Sequence, residues 1–210
     1  IKRLNRSRPQ LHRVGIAEVF GLGRVCPLEG QIYQILLERA KEQGIGHYFV
    51  PRYTRVVDTA ESKDNINKAY NLISTSKVRN EMIIDDVITC VARKQTPVIL
   101  TRFKEHAKFL HDALKEKADH VFLLYGDNSD KENAEIRVKL KQIPENESLI
   151  LVATGQKIGE GFDFPSLDVL MLAAPVSFEG RLEQYVGRLN RDYVGKEAVY
   201  VYDYIDSHVR

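Results

Sequence analysis

From Pro97 onward the chain alternates short apolar runs with amphipathic stretches, and this rhythm limits the possible folds more than any other feature. The runs are Val98-Ile99-Leu100-Thr101, Val121-Phe122-Leu123-Leu124, Leu149-Ile150-Leu151-Val152-Ala153, Val169-Leu170-Met171-Leu172-Ala173 and Ala198-Val199-Tyr200-Val201-Tyr202. Continuous apolar runs of this length suit strands that are covered on both faces. Between them, residues 104–117 bring Ala107, Leu110 and Leu114 onto one helical face. Residues 131–142 form a charged helix that stops before Pro144, and residues 181–189 also read as helical. Strand and helix in strict alternation imply an α/β fold, a parallel sheet with helices on both faces.

Upstream the pattern is less regular. Residues 62–94 read as two helices, the second carrying Ile83, Ile84, Val87, Ile88 and Val91. Residues 47–57 read as extended, and residues 31–43 as a helix stopped by Gly44-Ile45-Gly46. Residues 1–30 follow no period and open with a basic run, Lys2, Arg3, Arg6, Arg8 and Arg13, all before the first acid at Glu18. That run fits either a nucleic-acid contact or a solvated extension. The expected division is an unassigned segment over 1–46 and one domain over 47–210.

Open parallel sheets bind ligands beyond the carboxyl ends of their strands, where Thr101, Thr154 and Ala174 fall. Two segments near the C-terminus carry the chemistry. The first, residues 153–165, follows a strand with Thr154-Gly155 and continues to Gly161 and Asp163. A hydroxyl and exposed backbone N–H groups at such a turn suit a phosphate oxygen, while the plainer alternative is a helix cap and a loop carboxylate. The second is Gln184-Tyr185-Val186-Gly187-Arg188-Leu189-Asn190-Arg191, of the form Q-x-x-G-R-x-x-R. Arg188 and Arg191 lie three apart on one helical face, so both can reach a single anion, and Gln184 adds an amide one turn earlier. Gly187 removes a side chain beside Arg188 and permits close approach. The plainer alternative is a solvated helix face.

In order and spacing these two segments resemble motifs V and VI of superfamily 2 helicases, in particular the second RecA-like domain of DEAH-like, repair-associated DNA helicases. The resemblance runs from about His47 to Asp206. It implies that Arg188 and Arg191 act as arginine fingers on ATP and that Gln184 senses the nucleotide. Gly161, Asp163 and Gly187 would border the nucleotide, while Thr154 and Gly155 would touch the nucleic-acid backbone. Thr101 and Arg102 match motif IV by position, and Gly126 the following turn, as weaker backbone contacts. The resemblance further implies ATP with Mg2+, the metal being held by a first RecA-like domain, and DNA or RNA as the track.

The phosphate loop G-x-x-x-x-G-K-[ST] and a D-E-x-[HD] tetrad are both missing from these residues. Met82-Ile83-Ile84-Asp85-Asp86 imitates the metal-holding strand, but its neighbours continue at helical spacing, so it reads as helix. The chain is therefore expected to be half of a motor, either a piece of a longer helicase, as the Ile1 start suggests, or a natural half acting with a separate first domain. Alone it is expected to be inactive. A non-catalytic nucleic-acid-binding or scaffold domain, or an α/β enzyme of another kind, are the competing readings.

Thirty-one Lys and Arg against 29 Asp and Glu give a net charge of +2, so any polyanion-binding surface must be local. Cys26 and Cys90 are far apart, with no metal-ligand spacing, which points to a reducing, cytoplasmic setting and no metal of the chain's own. No apolar stretch approaches the ~18 residues that would suggest a membrane span.

Overall fold

The computed structural model describes residues 12–13, 45–63, 65–155, 164–175 and 196–209, together with 185, 187, 189 and 193. Its centre is a seven-stranded sheet. The strands are β1 (His12–Arg13), β2 (Gly46–Tyr53), β3 (Pro97–Thr101), β4 (His120–Leu124), β5 (Leu149–Thr154), β6 (Val169–Leu172) and β7 (Ala198–Ile205). Their spatial order is β1-β2-β7-β6-β3-β5-β4. All pairings are parallel except that of the two-residue β1, which runs antiparallel to β2. Four helices have both ends among the described residues: α1 (Ile66–Thr75), α2 (Lys77–Ala92), α3 (Lys104–Leu114) and α4 (Asp130–Leu140).

The apolar runs do what their composition requires. Val98, Leu100, Leu149, Leu151 and Ala153 pack into one core with Leu140 of α4 and with Tyr185 and Leu189. The alternate residues Ile99, Ile150 and Val152 pack into a second core with Ile83, Val87 and Cys90 of α2 and Ala107, Leu110 and Leu114 of α3. Successive strand side chains point to opposite faces, so a run with no polar positions feeds two cores at once.

Local signals set the helix ends. Asn65 caps α1 by accepting from the backbone N–H groups of Asn67 and Lys68, and Ser76, in an extended conformation, separates α1 from α2. Ser129 and Glu132 form a reciprocal capping box on α4. At the end of α2 the N–H groups of Lys94 and Gln95 bond back to the carbonyls of Val91 and Cys90. Lys94 turns left-handed there, at φ 61°.

The expected parallel sheet and the two helices before Pro97 are observed. Met82–Asp86 lies within α2, as its spacing indicated, and Asp86 is buried against Arg52 and Tyr204. Arg52, one of two cations on the extended segment, is thus tied inward. The helix expected over 31–43 and most of that over 181–189 lie outside the described residues, although Tyr185, Gly187 and Leu189 are helical.

Candidate functional site

The carboxyl ends of the strands form one edge, and α2 and α3 start beside it. Two networks of buried polar groups organise this edge. In the first, Arg79 of α2 is fully buried. Its Nε donates to both carboxylate oxygens of Asp206, at 3.0 and 3.2 Å, and its Nη1 donates to the Ala173 carbonyl at 2.8 Å. Asp206 also accepts from the Thr54 hydroxyl. The guanidinium lies 5.7 Å from the centre of the Tyr204 ring. Its Nη2 is buried with no hydrogen-bond acceptor among the described residues.

The second network begins one residue later. The Asn80 amide nitrogen donates to the Ser74 carbonyl at 2.8 Å, which identifies its oxygen as the acceptor for His106 Nε2 at 2.9 Å. His106 therefore carries its proton on Nε2, and Nδ1 accepts from the Thr101 hydroxyl at 2.8 Å. Burial, assisted by the Arg79 charge, pushes the imidazole down to about 4, so it is neutral at physiological pH.

A neutral buried histidine predicts a pH dependence of known sign. The folded state resists protonation, so the His106 contribution is complete above the ordinary value of 6.5 and is lost as pH falls through 6.5 towards 4. The full loss is about 3 kcal/mol. The carboxyls of buried Asp86 and half-buried Asp168 are both raised, chiefly by desolvation, Asp168 to about 6, and they act in the opposite direction. Denaturation profiles of the wild type and His106→Gln, compared between pH 7 and 4, should therefore diverge: the variant loses less stability on acidification. Parallel profiles would show that the imidazole titrates normally.

The expected site residues are distributed as follows. Thr101 is 3 % exposed, and its hydroxyl proton is given to His106. The hydroxyl named as a phosphate contact thus already has an internal partner, because a buried imidazole nitrogen needs a donor. Arg102, next in sequence, is exposed and stacks its guanidinium 4.6 Å from the centre of the Tyr70 ring. Gly126 follows β4, where a Cβ would lie 3.0 Å from Lys104 Cε, and Lys104 pairs with Asp127. Thr154 ends β5 at 8 % exposure. Gln184, Arg188, Arg191, Gly161 and Asp163 lie outside the described residues.

The two C-terminal segments are joined by the contacts that are described. Tyr185, 4 % exposed, donates its hydroxyl to the Gly155 carbonyl at 2.7 Å. Lys196 donates to the carbonyls of Pro165 and Leu189, each at 2.6 Å, linking the exit of the first segment to the helix of the second. A Cβ on Gly187 would meet nothing within 4 Å, which leaves the room for close approach that its sequence position suggests. A Cβ on Gly155, by contrast, would lie 2.7 Å from the Tyr185 hydroxyl. Gly155→Ala is therefore expected to destabilise by about 1–3 kcal/mol, and clearly less in a Tyr185→Phe background, where the obstructing oxygen is gone. Additive costs in a denaturant double-mutant cycle would exclude this contact as the cause.

Residues 74–192 match the family described as the helicase conserved C-terminal domain, more than half of the chain. The chain belongs to that family. This helicase C-terminal domain has the RecA-like fold. It is similar to the transcript termination protein A18 of Yaba-like disease virus, 29% identical over 171 residues, covering 76% of this chain and 35% of that protein. The corresponding protein of vaccinia virus, OPG145, is 27% identical over 123 residues, covering 58% and 24%. The chain thus spans about a third or less of the length of these curated relatives. Among solved structures, UvsW of T4 matches with a TM-score of 0.57 at 22% identity, over 75% of this chain and 31% of that one. The C-terminal part of the Fun30 ATPase domain matches at 0.53 and 14%, over 63% and 43%. The SWI2/SNF2 ATPase core of Sulfolobus solfataricus, solved with dsDNA, matches at 0.50 and 15%, over 84% and 37%.

Among the described residues no group of three or more His, Cys, Asp or Glu could hold a metal ion. No described helix is long and apolar enough to cross a membrane.

Proposed function

We propose that this helicase C-terminal domain is the second lobe of an ATP-dependent nucleic-acid translocase. In this reading Arg188 and Arg191 reach ATP held with Mg2+ on a first RecA-like lobe, and Gln184 reads the bound nucleotide. Gly161, Asp163 and Gly187 border the phosphates. Thr154, Gly155 and Gly126 offer backbone groups to a strand of nucleic acid, and Arg102 offers an exposed cation. Thr101 acts at one remove, by holding His106 and through it α2.

One observation carries most of this reading. The Tyr185–Gly155 hydrogen bond fastens the helix of the arginine segment to the turn that follows β5. A change at the nucleotide is then felt at the backbone-gripping turn through that contact. Closure of the two lobes around ATP brings the guanidinium groups to the phosphates, and reopening after hydrolysis releases them, so that the turn grips and lets go in step with turnover. Backbone contacts carry no sequence code, and binding is expected to be sequence-independent and to weaken with salt. The complex of the SWI2/SNF2 core with dsDNA supports DNA as the track. The poxvirus relatives are named for transcript termination, a process that a moving motor of this kind can drive.

Reconstitution tests the proposal. The chain alone is expected to show no nucleic-acid-stimulated ATP hydrolysis, and addition of a first RecA-like lobe, in cis or in trans, is expected to produce it. Nucleic-acid binding with no hydrolysis after that addition would favour a scaffold domain instead.

A further inference from the structure

We propose that Tyr70 of α1 is a positioning residue for nucleic acid: it seats the Arg102 guanidinium, which then holds a backbone phosphate. The inference rests on the motor reading above. The guanidinium carbon of Arg102 lies 4.6 Å from the centre of the Tyr70 ring. Phe103 meets the same ring edge-on, with centroids 6.0 Å apart and planes at 67°, and so steadies it from a second side. Tyr70 is half-buried, while Arg102 is exposed.

Immobilising a long surface side chain on a ligand costs about two- to tenfold in affinity, and a guanidinium already resting on an aromatic face has lost part of that freedom beforehand. Stacking occupies the face of the planar group and leaves its five in-plane N–H donors for oxygens. Among the described residues no acceptor meets those donors, and no carboxylate pairs with the charge. Neighbouring Lys104, by contrast, is paired with Asp127. Thr101 stands opposite Thr154 in the β3–β5 register, so Arg102 emerges beside Gly155. The seated cation and the turn proposed to grip the strand thus follow adjacent strands, whose spacing is about 5 Å.

The test measures binding of a fluorescein-labelled oligothymidylate to the 210-residue chain over a series of KCl concentrations. Tyr70→Leu keeps apolar bulk but removes the aromatic face, and is expected to weaken binding by about threefold at unchanged salt slope. Tyr70→Phe keeps the face and should bind as the wild type does. Arg102→Ala should weaken binding further and lower the slope by about one, the signature of one lost phosphate contact. In that background Tyr70→Leu should cost nothing more. A Tyr70→Leu variant that binds like the wild type, or one whose loss persists in the Arg102→Ala background, overturns the seat and leaves the motor reading standing. No binding by the wild type, or an unchanged slope in Arg102→Ala, overturns the nucleic-acid reading of this edge and the seat with it. Should Tyr70→Leu fail to fold, the wild-type NMR spectrum decides: an Arg102 Nε–H proton shifted upfield by the ring, and shifted again by added oligothymidylate, supports the seat, whereas an ordinary solvent-exposed shift overturns it.

Discussion

Asp206→Ala is expected to lower the free energy of unfolding by roughly 3–5 kcal/mol, the cost of leaving a buried guanidinium without its counter-ion. Arg79 is fully buried, and the Asp206 side chain is only 6% exposed, so water cannot replace the lost carboxylate. Thr54 loses its acceptor in the same step. Against a typical domain stability of about 5–15 kcal/mol, this loss is a large fraction of the total. Chemical denaturation would read it as a drop in the midpoint at constant slope. Removing both charges, with Arg79→Met and Asp206→Leu, should be much less damaging than Asp206→Ala alone. A cost below about 1 kcal/mol for Asp206→Ala, the size typical of a surface pair, would mean that water reaches the guanidinium.

The second large effect concerns turnover. In a protein completed with a first RecA-like lobe, Arg191→Ala is expected to reduce kcat by roughly 10³-fold or more, the value of an arginine finger that neutralises charge developing during phosphoryl transfer. Because that charge appears only in the transition state, KM for ATP should change little. Arg191→Lys should rescue poorly, since an ammonium lacks the planar fork that meets phosphate oxygens. Steady-state kinetics on the three proteins decide the matter. A rise in KM with kcat preserved would make Arg191 a residue that binds ATP without assisting its cleavage.

The sheet was legible because its strands are unmixed. Val98–Thr101, Leu149–Ala153 and Val169–Ala173 have no polar residue before their ends, and such runs have few stable homes other than a doubly covered sheet. The segment around Asp86 was legible for a different reason: Ile84, Val87, Ile88 and Val91 keep helical spacing through the run that imitates a metal-holding strand. The networks at the strand ends were not legible. Arg79 meets partners 94 and 127 residues away in sequence, and neither belongs to a recognisable pattern. A single arginine in an amphipathic helix normally reads as solvated, and only the tertiary fold turns this one inward. Thr101 was read from its place at a strand tip, but His106, five residues on, claims the hydroxyl. Local spacing offered a hint there, since a histidine one turn into the following helix can fold back on the strand it has just left.

The pairing of His12–Arg13 with Tyr48 and Phe49 bears on how this chain can be shortened. The eight-residue β2 would otherwise present an outer row of unbonded amides and carbonyls beside the rest of the sheet. Such a row is a template on which neighbouring molecules stack. The twelfth and thirteenth residues cover the Tyr48–Phe49 part of that row, and a version trimmed to the helicase-like portion would open that part to neighbouring molecules as well.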